Sequence, residues 1–166
     1  MIDLKNKIAF ITGGSRGIGA ACSILFAKAG ADVAFTYKSN KHSADQTQSR
    51  VEAMGRKCFA LRCEISSLSD VKNAVKEVIE YYRRIDILVN NAGIWTYGEM
   101  GKMDQLIWQE TININLNSVY YFCNEIVPYM KKQNYGRIIN ITSTAGQRGE
   151  AYHSHYAASK GAVISF

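Results

Sequence analysis

Short apolar runs and longer stretches with helical spacing alternate along the chain. Residues 7–12 (KIAFIT) are apolar at successive positions, which predicts a buried strand. Residues 17–30 (GIGAACSILFAKAG) carry apolar side chains at helical spacing and end in Gly30, a helix stop. The same alternation predicts a strand over 31–37, a polar helix over 41–54 that ends before Gly55, and a strand over 57–63. Serines and an acid then open a helix over 67–82, as an N-cap requires. A strand running into a turn over 86–93, a long helix over 104–133 with Pro128 inside it, and a fifth strand over 136–143 complete the series. Strands with no polar face, joined by helices, imply a parallel sheet covered on both sides. The expected architecture is a doubly wound α/β sheet, its first strand near the centre and its ligands at the carboxyl ends of the strands. Neither repeats nor linkers interrupt it, so residues 1–166 read as a single domain.

Composition narrows the classes. The chain has 166 residues, 47% hydrophobic and 20% charged, enough to bury one core and unlike a disordered segment. It has no apolar run long enough to span a bilayer, and its opening lacks a secretory cleavage pattern, so a cytoplasmic location is expected. The net charge of +6 comes from scattered Lys and Arg in runs no longer than two, which argues against a nucleic-acid surface while suiting anionic ligands. Cys22, Cys58, Cys63 and Cys123 lack metal or disulfide spacing and read as small core residues; His153 and His155 read as surface-loop histidines, and no metal is expected.

Candidate chemistry begins directly after the first strand, with TGGSRGIG at 12–19. Gly13 would permit a sharp turn, Gly17 the approach of a pyrophosphate to the backbone, and Gly19 close packing of helix on strand, with free N–H groups at the helix start facing the anion. This strand-turn-helix context makes the segment a dinucleotide-binding turn of Rossmann type, although its glycines follow GxxxGxG spacing. Selection for NAD(H) usually rests on an acid at the end of the second strand. Here that position reads Thr36, Tyr37, Lys38, Ser39, Asn40. Lys38 and Ser39, with Arg16 from the glycine turn, would instead suit a 2′-phosphate, so NADP(H) is the expected cofactor.

Three further motifs follow in order: NNAG at 90–93, GRIINITS ending in Ser143, and YAASK from Tyr156 to Lys160. Together with the glycine turn they make the chain resemble the short-chain dehydrogenase/reductase family over nearly its whole length. The resemblance implies that Tyr156 is the general acid or base on the substrate oxygen, that Ser143 hydrogen-bonds that oxygen, and that Asn115 joins a proton relay through water. Lys160, one helical turn beyond Tyr156, would stabilise the phenolate and also hydrogen-bond the nicotinamide ribose. The implied cofactor-binding set is Gly13, Ser15, Arg16, Gly17, Ile18 and Gly19; then Tyr37, Lys38 and Ser39; then Glu64 and Ile65; then Asn91, Ala92 and Gly93, with Tyr156 and Lys160 at the nicotinamide end. Glu64-Ile65 stands where many relatives carry Asp-Val against the adenine ring.

Among family branches the pattern is most similar to reductases of 3-oxoacyl thioesters held on acyl-carrier protein, with Lys131, Lys132 and Arg137 as a basic surface for that acidic partner. A sugar, polyol or xenobiotic-ketone reductase, or a nucleotide-binding protein without turnover, are the other readings. Relatives continue beyond the tyrosine helix and commonly form homotetramers; the expectation is therefore a dinucleotide-binding domain incomplete at its C-terminal end.

Overall fold

In the computed structural model, which describes residues 2–166, five parallel strands form one sheet in the order β3-β2-β1-β4-β5. The strands are β1 (Ile8–Ile11), β2 (Asp32–Tyr37), β3 (Cys58–Arg62), β4 (Ile87–Asn90) and β5 (Arg137–Asn140). Helices α1 (Gly17–Lys28), α2 (Lys41–Glu52), α3 (Leu68–Tyr82), α4 (Gln105–Ile112) and α5 (Ser118–Lys132) run between them. Two more, α6 (Ala145–Arg148) and α7 (Ser154–Ser165), follow β5. The doubly wound fold expected from the apolar pattern is the fold observed.

Period-two alternation assigns the strand side chains to two cores. Phe10 pairs in register with Ala34 and with Leu88, and all three face α3 and α5, where Val71, Val78, Phe122 and Ile126 meet them. Phe10 and Phe122 pack edge to face with centroids 5.6 Å apart. The intervening residues Ala9, Ile11, Val33, Phe35, Ile87 and Val89 point the opposite way, onto Ala27 of α1 and Ala44 and Val51 of α2. Each large side chain so buried stabilises the fold by about 1.5–3 kcal/mol.

Caps mark the helix boundaries. Asn40 Oδ1 accepts from Ser43 N, Ser67 Oγ from Asp70 N, and Asp104 Oδ1 from Leu106 N, satisfying donors that the first turn leaves free. The strands are one to four residues shorter than the expected runs; at β4 and β5 the three residues past the carboxyl end leave the ladder to build loops. The single long helix expected over 104–133 is instead α4 and α5 joined by a π-helical turn at Asn113–Asn117. That turn accommodates an extra residue, and Asn115 lies buried within it. Pro128 sits inside α5 without ending it.

Two side-chain expectations divide. Cys58, Cys63 and Cys123 are buried as expected, and burial pushes the thiols of Cys58 and Cys63 up to about 12, so they remain protonated. His153 and His155 are not surface residues. His155 is fully buried at the start of α7 with Nε2 3.1 Å from Thr96 Oγ1, and His153 stacks on Trp95. His153 is the N-cap of α7 and His155 lies in its first turn, where packing against the loop carrying Trp95 and Thr96 turns both rings inward.

Candidate active site

The chain leaves β1 toward β2 on one side and returns to β4 on the other, and a crevice of about 380 Å³ opens at the carboxyl ends where the strand order reverses. Its floor is the glycine turn. Gly13 (φ +67°) and Gly17 (φ +54°) both occupy the left-handed region. A Cβ on Gly17 would meet nothing within 4 Å, whereas one on Gly19 would overlap the Gly13 carbonyl and the Asn91 side chain. Gly17 thus keeps the backbone open, and Gly19 lies beneath the floor as a packing residue. Arg16, the N-cap of α1, offers its first turn no side-chain acceptor, which leaves helix-start N–H groups for an anion. These features fit a pyrophosphate.

Gly13, Ser15, Arg16, Gly17 and Ile18 line the crevice with Tyr37 and Lys38 from the end of β2 and Glu64 and Ile65 from beyond β3. Asn91, Ala92 and Gly93 complete it. Ser39 lies in an adjoining hollow with Lys38, Arg62 and Glu64. Thr12 locks the two central turns together: its Oγ1 accepts from the N–H groups of Asn91 and Ala92 (both 3.0 Å), while Asn91 Nδ2 donates to Thr12 O (2.9 Å). Lys38 Nζ pairs with Glu64 Oε2 at 2.8 Å. Burial alone would raise the Glu64 carboxyl, but hydrogen bonds from Lys38 and Ser66 outweigh it and hold the group below its ordinary range.

Ser143, three residues past β5, and Tyr156, on the first turns of α7, share a second cleft with Trp95, Arg148 and Glu150. Ser143 Oγ also accepts from Ala145 N (3.2 Å), capping the turn into α6. Lys160 is only 6% exposed; its Nζ donates to the Ile141 carbonyl at 2.8 Å and lies 6.0 Å from the Tyr156 ring centroid. Burial lowers the Lys160 pKa from its ordinary value. Asn115 lines neither cleft. Its Oδ1 accepts from Ile94 N (2.8 Å), and its Nδ2 donates to Ile94 O (2.9 Å) and Ser159 Oγ (3.1 Å). A Cβ on Gly93 would stand 3.1 Å from Asn115 Oδ1 and 3.5 Å from Lys160 Nζ, so this glycine marks the gap between them.

Other contributors carried no recognisable sequence signal. Gly146 of α6 lies against the Lys160 and Gly161 backbone, where a Cβ would clash at 2.6 Å, so the small residue seats α6 on the lysine turn. The two loops over the cleft are tied by side chains and backbone: Trp95 stacks on His153 at 4.2 Å, its Nε1 donates to Glu150 Oε1, and Gly98 N donates to Tyr152 O. Lys131, Lys132 and Arg137 sit at the amino end of β5, the end of the sheet opposite both clefts.

The arrangement juxtaposes a dinucleotide-sized crevice with a phenol, a hydroxyl and a buried ammonium, and comparison with known proteins agrees with it. The profile of the short chain dehydrogenase family matches residues 7–166. The chain belongs to the short-chain dehydrogenase family. The family's members are dehydrogenases, a class of oxidoreductase. Over 159 residues, 96% of the chain, it is 35% identical to the 3-oxoacyl-acyl-carrier-protein reductase FabG of Staphylococcus epidermidis. Over 161 residues, 97% of the chain, it is 37% identical to the corresponding FabG of Thermotoga maritima. The chain spans 65% of the length of each of these relatives. Among solved structures, NAD+-bound xylitol dehydrogenase superposes with a TM-score of 0.93 at 27% identity, over 98% of this chain and 62% of that one. Among the described residues, no helix is long and apolar enough to cross a membrane.

Proposed function

We propose that the chain is the dinucleotide-binding unit of an NADP(H)-dependent carbonyl reductase, with a 3-oxoacyl thioester as substrate. The observation that carries the reading is the seating of Lys160: a buried ammonium, tethered to the Ile141 carbonyl and 6.0 Å from the Tyr156 ring, within a turn of a cleft that also holds Ser143. A reduced nicotinamide, when bound, supplies the hydride. The chain's own residues handle the proton and the geometry. Ser143 hydrogen-bonds the substrate oxygen, and Tyr156 donates the proton to it. Lys160 stabilises the phenolate left behind, in surroundings where low local dielectric strengthens the attraction. Asn115 Oδ1 keeps one lone pair beyond its bond to Ile94 N, so a water in the gap beside Gly93 would connect the lysine outward.

The 35–37% identity to two 3-oxoacyl-acyl-carrier-protein reductases supports the thioester substrate; a cytoplasmic homotetramer belongs to the same proposal. NADP(H) rests on Arg16 and Lys38 at the crevice and on the absence of an acid at residues 36–40. The fold match to xylitol dehydrogenase favours a polyol or sugar as the second reading. Absorbance of NADPH during incubation with a 3-oxoacyl thioester, and separately with ketoses, distinguishes them. Tyr156→Phe is expected to lower turnover by about 10²–10⁴-fold with the fold intact; near-normal turnover in that variant would remove Tyr156 as proton donor.

A further inference from the structure

We propose that Glu64 sets cofactor preference by holding the Lys38 ammonium in an ion pair, so that a 2′-phosphate is bound only in exchange for that pair; this deepens the NADP(H) reading above and rests on it. The pairing arises from sheet register. β2 and β3 run parallel with Tyr37 opposite Arg62, so Lys38, one residue beyond β2, and Glu64, two residues beyond β3, leave the sheet at the same carboxyl edge. That edge is where a doubly wound sheet receives the adenosine ribose.

Both partners are held in place. Arg62 Nε donates to the Lys38 carbonyl (3.2 Å), fixing the backbone from which the lysine departs. Ser66 Oγ donates to Glu64 Oε1 (2.9 Å), leaving Oε2 to meet Lys38 Nζ at 2.8 Å. The side chains are 64% and 34% exposed and both line the crevice, so an incoming ligand reaches them directly. Glu64 stays ionised and Lys38 protonated, because the bond between them favours both charged forms.

The electrostatic consequence follows from the count of charges. In the free protein the Lys38 charge is already compensated, and Arg16 is the other cation at the crevice wall. A 2′-phosphate must draw the ammonium away from Glu64 and then sits near the remaining carboxylate, a like charge. A dinucleotide with a free 2′-hydroxyl meets no such conflict, since a carboxylate accepts a hydrogen bond from it. The pair therefore moderates the preference for the phosphorylated cofactor. An exposed ion pair contributes a factor of at most about five to an equilibrium constant, and relief of the carboxylate-phosphate repulsion adds to it.

The test is direct binding. The protein and its Glu64→Gln, Glu64→Asp, Lys38→Met and Glu64→Gln/Lys38→Met variants are titrated with NADPH and with NADH, followed by calorimetry. Glu64→Gln is expected to tighten NADPH by about three- to tenfold and to leave NADH unchanged or weaker. Glu64→Asp keeps the wild-type ratio, and Lys38→Met in the double variant abolishes the gain. The NADH-to-NADPH ratio is the readout, because damage to the fold moves both affinities together. An unchanged or reversed ratio in Glu64→Gln, or a gain that survives removal of Lys38, overturns the proposal. The cofactor reading is tested separately by the wild type. Tighter NADH binding there, with the ratio still raised by Glu64→Gln, rejects NADP(H) preference and keeps the role of Glu64.

Discussion

His155 lies directly before Tyr156 and is fully buried, its Nε2 bonded to Thr96 Oγ1 and its Nδ1 without a protein partner. Burial, and to a lesser degree the neighbouring His153, lower its pKa from the ordinary value near 6.5. The unfolded chain therefore binds a proton more readily than the native one, and stability is lost as pH falls below about 6.5. His155→Gln is expected to flatten the pH dependence of the unfolding free energy below about pH 6.5, by up to about 1.4 kcal/mol per pH unit; an unchanged slope would mean that other groups control it. Nothing in the local sequence announced this burial. A histidine between two polar residues reads as exposed until the helix start and the loop carrying Thr96 are both placed.

At the scale of elements, the two glycines of the first turn separate binding from packing. Gly17 faces open space with a positive φ, and Gly19 is pressed against the Gly13 carbonyl. Gly19→Ala should behave as overpacking against backbone, at about 1–3 kcal/mol, a fall in melting temperature of several degrees. Gly17→Ala should cost about 1–2 kcal/mol in backbone strain and weaken NADPH binding tenfold or more, by placing a methyl group where the pyrophosphate approaches. Equal losses of affinity in the two variants, measured by calorimetry beside thermal denaturation, would refute this division. The glycine turn, the strands and the tyrosine-lysine spacing were legible because each depends on local period or on residues close in sequence. The π-helical turn was not: one extra residue in a helix leaves apolar spacing almost unaltered, and only the burial of Asn115 reveals it. The Lys38-Glu64 pair and the seat of Gly146 depend on register and on helix-helix contact, which a linear pattern does not contain.

For the molecule as a whole, the order of elements along the chain and the central place of the first strand were the most readable features, since apolar strands separated by helices admit few parallel arrangements. Among the described residues β5 stands at an edge of the sheet, with Ile138 and Ile139 both about 40% exposed, on opposite faces of the strand. An unpaired strand edge carrying exposed apolar residues invites association with other chains. Ile138→Lys is expected to reduce self-association in light scattering while changing stability by no more than about 0.5 kcal/mol; undiminished association would assign it to another surface.

The same border of the sheet also governs the ammonium group. The Lys160 ammonium donates to the Ile141 carbonyl just past β5, and Thr142 Oγ1 donates to the Lys160 carbonyl. The cation is therefore moored at both its tip and its root to the exit of the outermost strand. The position of that strand's exit therefore fixes where the positive charge stands relative to the phenol.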